Sequence, residues 1–589
     1  MRKSGVVLNV LTLALAVGLS ACMDNAGSTG GGSESLSESD ETGGGGTSSG
    51  GWAASSNGGS GGGSSSGNWG NAASSGSVAG SSSGGASTSS SSGSSTSGGT
   101  VIAFGGSQDF AYFRQTVEAG GIPQPTDMDS PGFFAEHHTS LPSPTCGNTI
   151  CLQGLVGARE NLINGGPCTV IQVGLNSPLN IADLPQLPRR IALVIDESGS
   201  MEGRNMEMVK AGLRLMASEL NPEDKWALVT FGDELGDVLS WSNYDALEWN
   251  HMVDNLAADE GSTNIHAGLM RGLELLTNEG GGIDPAYQNR LILLSDGIAN
   301  RGVTDVNQIV EEAMVRVREG IGLTTIGVGT AFDPVVMGRL AEASGGTFFF
   351  ADDQDALEEI FLEEIRAFIV PVGYDVRIEV QAGAHYELRA SYGANQFTLD
   401  QDRRNGDLVI PAVTLAHRQA HNDNQNGRRG GGSALLVEVM PAFNPEQNMS
   451  TVPPELQSNT AIGQARLTYQ EANTERTIHE EVINLEYPHG PDVMLPDGYW
   501  TNDAIQKNFV MMNLYVGFQL AVTNYWSGQG EQALADLDAL MAAATAWNSE
   551  IGDEDIADDL RIMQLLRNNI DAEVNEPPAE EPSDPWPQD

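Results

Sequence analysis

Between residues 188 and 370 short apolar runs alternate with amphipathic stretches. The runs are RIALVID, WALVTFG, RLILLSDG, GLTTIGVG and GTFFFAD. Between the first two, Val209, Leu213, Met216 and Leu220 recur at helical spacing and mark one buried helix face. Continuous apolar strands separated by helices predict a mostly parallel sheet covered on both sides, a doubly wound α/β domain over 188–370. From 371 to 488 the period changes to two, in YDVRIEVQ, HYELRAS, DLVIPAVTL, ALLVEVM, ARLTYQ and TIHEEVINLEY. Alternation of that kind predicts an antiparallel β-sandwich, with HNDNQNGRRGGGS as a turn-rich insertion. Residues 489–574 read as helical. Leu534, Leu537, Met541 and Ala544 form one stripe, and Ile556, Leu560 and Met563 another, so a packed helical hairpin is expected.

The ends of the chain follow a different logic. Residues 23–102 are overwhelmingly Gly, Ser, Ala and Thr, a composition with nothing to bury and hence a flexible tether. Residues 575–589 read as a disordered acidic tail. Residues 103–187 are globular but irregular, with a helix-like DFAYFRQTVEAG and a strand-like CTVIQVGL. The strand at 169–175 is expected to join the later sandwich, which would make the α/β domain an insertion within it.

Charge then narrows the function. With 29 basic and 78 acidic residues the formal net charge is −49, which repels phosphate backbones and argues against nucleic-acid binding. Arg2 and Lys3 precede the apolar VVLNVLTLALAVGL, too short for a membrane span but suited to a secretory signal. It ends at Leu19-Ser20-Ala21-Cys22, which resembles the lipobox of bacterial lipoproteins. That resemblance implies cleavage after residue 21, a lipidated Cys22, and a cell-envelope protein held to the membrane by lipid alone. Met23 in place of an aspartate favours the outer membrane over the inner. Of the other cysteines, Cys146 and Cys151 are expected to pair in an oxidising compartment, leaving one thiol over.

Ligands of open α/β sheets bind at the carboxyl ends of the strands. There the first strand delivers Asp196, Ser198 and Ser200, the loop DEGSTN offers Thr263, and RLILLSD ends at Asp296. Two acids and three hydroxyls suit a small hard cation, because Mg²⁺ takes six oxygens at about 2.1 Å. Taken singly, the serines could cap the helix that follows, Thr263 or Asn264 the next, and Asp296 could be a turn residue. Glu197 and His266 read as solvated or packed neighbours.

The full set, Asp-x-Ser-x-Ser with a distant Thr and a distant Asp, resembles the metal-ion-dependent adhesion site of von Willebrand factor type A domains. The resemblance implies direct coordination by Ser198 and Ser200, with Thr263 joining in the ligand-engaging state. It also implies that Asp196 and Asp296 act largely through water. The ion would be Mg²⁺, or Mn²⁺ or Ca²⁺, and would take an Asp or Glu carboxylate of a partner protein as its last ligand. The segment DFAYFRQTVEAGGIPQPTDMDSPGFFAEHH resembles one that precedes this domain in bacterial envelope proteins. DPVVMGRLAEASGGTFFFADDQDALEEIF resembles the domain's end there and in the heavy chains of inter-alpha-trypsin inhibitors.

The implied function is therefore cation-dependent protein binding. The competing reading is an envelope scaffold whose metal is structural and whose binding lies in the sandwich or the helical region. Catalysis is not expected. The only lysine followed by Ser or Thr is Lys3, so no nucleotide-binding Gly-Lys-Ser/Thr loop exists. IHEEV has Ile483 where a zinc protease motif needs its second histidine, and ESGSM lacks a nucleophile elbow.

Overall fold

The computed structural model describes residues 100–575 apart from 103, 108–109, 138, 140, 180–186, 260, 279–282, 285, 318–319, 330–331, 367–370, 416–420, 424–426, 430–434, 443–448, 473–474 and 492. The signal-like stretch, Cys22, nearly all of the expected tether and all but the first residue of the acidic tail lie outside the described residues.

At the centre of the α/β domain lies the strand Arg189–Asp196, whose apolar residues Ile191–Ile195 are completely buried. Gln288–Ser295 and Lys225–Phe231 flank it in parallel register. Gly322–Val328 and Thr347–Ala351 extend the sheet on one side, also in parallel. On the other side Leu235–Asn243 closes it as an antiparallel edge, largely exposed. The far edge is Gly106–Ser107, contributed by the N-terminal segment. Residues of Arg204–Met216, Ala246–Asn255 and Gln354–Arg366 bury one face of this sheet. Ile265–Thr277, Val306–Val317 and Pro334–Ser344 bury the other. Alternate strand residues point to opposite layers, so Leu193 joins the first core and Val194 the second.

Two antiparallel sheets follow. Pro371–Ala382 pairs with Asn405–Thr414 and Ala461–Glu471, and Ile478–Glu486 extends that sheet at its edge. The facing sheet runs Tyr386–Tyr392, Leu435–Pro441, Pro167–Ser177, Cys151–Glu160, Tyr499–Trp500. One apolar core, including Ile171, Val173, Ile378 and Leu467, lies between them. Pro167–Ser177 pairs with Leu435–Pro441, Thr169 opposite Val439. The chain thus leaves the sandwich after Ser177, builds the α/β domain, and returns at Pro371: the insertion is real. Thr100–Ile102 already pairs with Pro167–Ser177, so order begins inside the stretch read as tether.

The C-terminal region departs from the expected hairpin. It holds three helices, Asp503–Trp526, Gly530–Ile551 and Glu554–Asn575. The first is apolar on nearly all sides because other elements surround it: residues of the six-stranded sheet, the N-terminal helices Ala111–Glu118 and Ser130–Ala135, and the other two helices share one core. A buried ionic cluster joins these parts. Arg114 contacts Glu136 at 2.9 Å and Asp559 at 2.5 Å, and His137 Nε2 lies 2.7 Å from Asp559. Cys146 and Cys151 are disulfide-bonded as expected. Cys168 is buried in the strand Pro167–Ser177.

Candidate metal centre

Strand order reverses at Arg189–Asp196: its chain continuation, Lys225–Phe231, lies on one side and Gln288–Ser295 on the other. The helices leaving these neighbouring strand ends fall on opposite faces, which opens a crevice at the carboxyl edge. Asp196 and Asp296 stand at its two lips. Asp196 is fully buried, Ser198 and Asp296 nearly so, while Ser200 is exposed.

The contacts bind the lips together. Asp196 Oδ1 accepts from the Ser198 backbone N–H at 2.8 Å, and Asp196 Oδ2 accepts from Ser295 Oγ at 2.5 Å. Ser198 Oγ and Ser200 Oγ are 3.1 Å apart, and Ser200 Oγ donates to Asp296 Oδ1 at 2.6 Å. Asn205 Nδ2 donates to the other oxygen, Asp296 Oδ2, at 2.7 Å. Thr263 is buried, and its backbone N–H donates to Asn300 Oδ1 at 2.8 Å. Its hydroxyl presses on Gly297, the residue after Asp296. A Cβ there would stand 2.5 Å from Thr263 Oγ, so the approach requires glycine. All five expected residues therefore meet at one end of the sheet.

The capping alternatives do not hold for the serines. Ser198 precedes the short helical turn Gly199–Met201 without a side-chain capping bond, and the helix Arg204–Met216 begins after Gly203, also uncapped. The cap of Ile265–Thr277 is Asn264, whose Oδ1 accepts from the Ala267 N–H at 3.1 Å, which leaves Thr263 free of that duty. Of the neighbours, His266 Nε2 pairs with Glu312 at 2.8 Å, and Glu197 is half-buried. Three contributors escaped the sequence reading: Ser295, Asn205 and Asn300. Only Ser295 carried a signal, as the one hydroxyl closing an apolar run.

Electrostatics shows what the site lacks. Burial pushes the Asp196 carboxyl up to about 6 against its hydrogen bonds, with a small further push from the Asp296 charge. Burial also raises Asp296, opposed by Ser200 and Asn205. Among the described residues no basic side chain pairs with either acid. Two desolvated carboxylates without a counter-charge favour an added cation. The donor set fits a small one. Neighbouring ligands of an octahedral ion at about 2.1 Å stand about 3.0 Å apart, and the Ser198–Ser200 hydroxyl separation is 3.1 Å. A serine can offer a lone pair to the cation only if its proton has an acceptor, and Asp296 accepts the proton of Ser200.

Comparison with known proteins bears on the domain that holds these residues. Residues 191–363 match the sequence profile of the von Willebrand factor type A domain. This stretch is a von Willebrand factor type A (VWA) domain. Over 194 residues, 32% of this chain and 33% of the relative, the chain is 31% identical to the protein YfbK of Escherichia coli K12. Over 217 residues, 34% of this chain and 23% of the relative, it is 31% identical to the pig inter-alpha-trypsin inhibitor heavy chain H1. The matched stretch thus spans a third or less of each relative's length. Among solved structures, a von Willebrand factor type A protein from Catenulispora acidiphila superposes over 69% of this chain and 89% of its own, with a TM-score of 0.44 at 15% identity.

Proposed function

We propose that the VWA domain is a divalent-cation-dependent protein-binding module, in which Ser198, Ser200 and Thr263 hold the ion directly and Asp196 and Asp296 hold it through water. One observation carries the reading: two buried acids, without a basic partner among the described residues, converge with two hydroxyls at octahedral edge spacing on the carboxyl edge of the sheet. Bound there, the ion supplies a Lewis-acidic position for a carboxylate from an Asp or Glu of the partner. Ser200, the exposed member, marks the side from which that carboxylate arrives. The role is recognition without turnover. In the same reading the apolar N-terminal stretch exports the chain, a lipid on Cys22 anchors it in the envelope, preferably at the outer membrane, and the Gly/Ser tether lets the folded part reach a partner.

The test is capture from the producing cell's envelope extract on immobilised protein in Mg²⁺, then elution with EDTA. Release of a specific partner by chelator, and its loss in Asp196→Ala, is the expected result. Equal capture in EDTA, or by Asp196→Ala, overturns the reading and moves binding to the sandwich or the helices.

A further inference from the structure

We propose that Asn205 and Ser295 determine which dication the centre accepts, by closing both carboxylates against two-oxygen chelation. The inference rests on the metal-binding reading above and concerns residues that would not touch the ion.

All four carboxylate oxygens already carry a donor. On Asp196 these are the Ser198 N–H and the Ser295 hydroxyl. On Asp296 they are the Ser200 hydroxyl and the Asn205 amide. Each oxygen keeps a lone pair for a water or for one metal bond. A chelating carboxylate must instead turn both oxygens towards the same ion, and on Asp196 and Asp296 that turn competes with the donors already bound to both oxygens. Mg²⁺ takes six single oxygens in a near-ideal octahedron and keeps several waters, whereas Ca²⁺ takes six to eight at longer distance, commonly with a two-oxygen carboxylate among them. A pair of acids kept from two-oxygen binding therefore suits Mg²⁺ and Mn²⁺ and leaves Ca²⁺ under-coordinated.

Both positioning residues are themselves fixed. Ser295 is fully buried at the end of its strand, and its oxygen accepts from the Gly297 N–H at 3.3 Å, which commits its own proton to Asp196. Asn205 stands in the first turn of Arg204–Met216, where its amide also reaches the Ser200 carbonyl at 3.4 Å. Behind it the chain passes at Gly329, where a side chain would crowd the amide, since a Cβ there would stand 3.2 Å from it.

Calorimetric titration of the full chain with MgCl₂, MnCl₂ and CaCl₂ in turn tests this, on wild type, Asn205→Ala, Ser295→Ala and the conservative Ser295→Thr. Wild type is expected to bind Mg²⁺ or Mn²⁺ at least about tenfold more tightly than Ca²⁺, and each alanine variant to narrow that ratio at least about fivefold. Ser295→Thr keeps the hydroxyl and is expected to keep the wild-type ratio. Equal wild-type affinity for Ca²⁺ and Mg²⁺ overturns the proposal. So does a loss in both alanine variants that is the same for all three ions, since a merely structural role would weaken binding without changing preference. A wild-type chain that binds no dication overturns the metal-binding reading itself, an outcome distinct from binding without selectivity.

Discussion

Glu342→Gln isolates a cost that the fold carries at the junction of its parts. Glu342 lies in the helix Pro334–Ser344 of the VWA domain, is buried, and accepts a hydrogen bond from the Gln396 N–H of the sandwich at 2.9 Å. Its pKa is raised from 4.5 to about 7, first by burial and then by the charge of Asp129 in the N-terminal segment, against hydrogen bonds from Gln396 and Asn395. A carboxyl raised in the folded state binds its proton more tightly there than in the unfolded chain. Stability is therefore greatest at low pH, falls as pH rises from about 4.5 to about 7, and levels off above. At about 1.4 kcal/mol per pH unit the full loss is about 3 kcal/mol, reached near pH 8, against less than about 1 kcal/mol at pH 5. Glutamine keeps the acceptor for Gln396 and carries no charge at any pH. Hydrogen exchange of peptides covering the helix measures the effect, since comparing variant and wild type at one pH cancels the intrinsic exchange rate. Protection in the variant is expected to rise up to about a hundredfold at pH 8 and by no more than a few-fold at pH 5. An equal change at both pH values, or a loss of protection at pH 8, refutes the assigned cause.

Gly297→Ala places a methyl 2.5 Å from the Thr263 hydroxyl and should weaken Mn²⁺ binding by about tenfold or more while far-UV circular dichroism stays unchanged; paramagnetic titration reads it. Arg114→Met removes the guanidinium that the fully buried Glu136 and Asp559 side chains share, leaving Asp559 with its neighbour His137. It should destabilise the docking of Glu554–Asn575 by about 3–5 kcal/mol, seen as faster proteolysis near that helix. Leu193→Ala empties a fully buried position at the centre of the VWA sheet and should cost about 2–5 kcal/mol in denaturant unfolding of that domain.

The parallel core of the VWA domain was legible because its strands are buried on both faces and read as unbroken apolar runs. The edges were not. Leu235–Asn243 is exposed along most of its length and has neither an apolar run nor a clean alternation. Gly106–Ser107 is two residues long and joins the sheet from far away in sequence. Asp503–Trp526 hid for the opposite reason: buried on nearly every side, it shows no single apolar stripe, so a hairpin was read from the two amphipathic helices that follow. At the site, Asp196, Ser198 and Ser200 form a local pattern, and Thr263 and Asp296 follow from their places at strand and loop ends. Asn205 hydrogen-bonds the Asp296 carboxylate from the first turn of a helix and Asn300 holds the Thr263 backbone, and a lone amide announces neither duty. Their roles emerge only once Asp296 and Thr263 are placed beside them.

The central claim is that one cation is held between the lips of the crevice. Anomalous diffraction from a crystal soaked in MnCl₂ tests it most directly. A single peak within about 2.2 Å of the Ser198 and Ser200 hydroxyl oxygens, with the carboxylates of Asp196 and Asp296 just beyond the first ligands, is the predicted result. A soaked crystal without a peak at that position, or with manganese bound only elsewhere on the acidic surface, contradicts it.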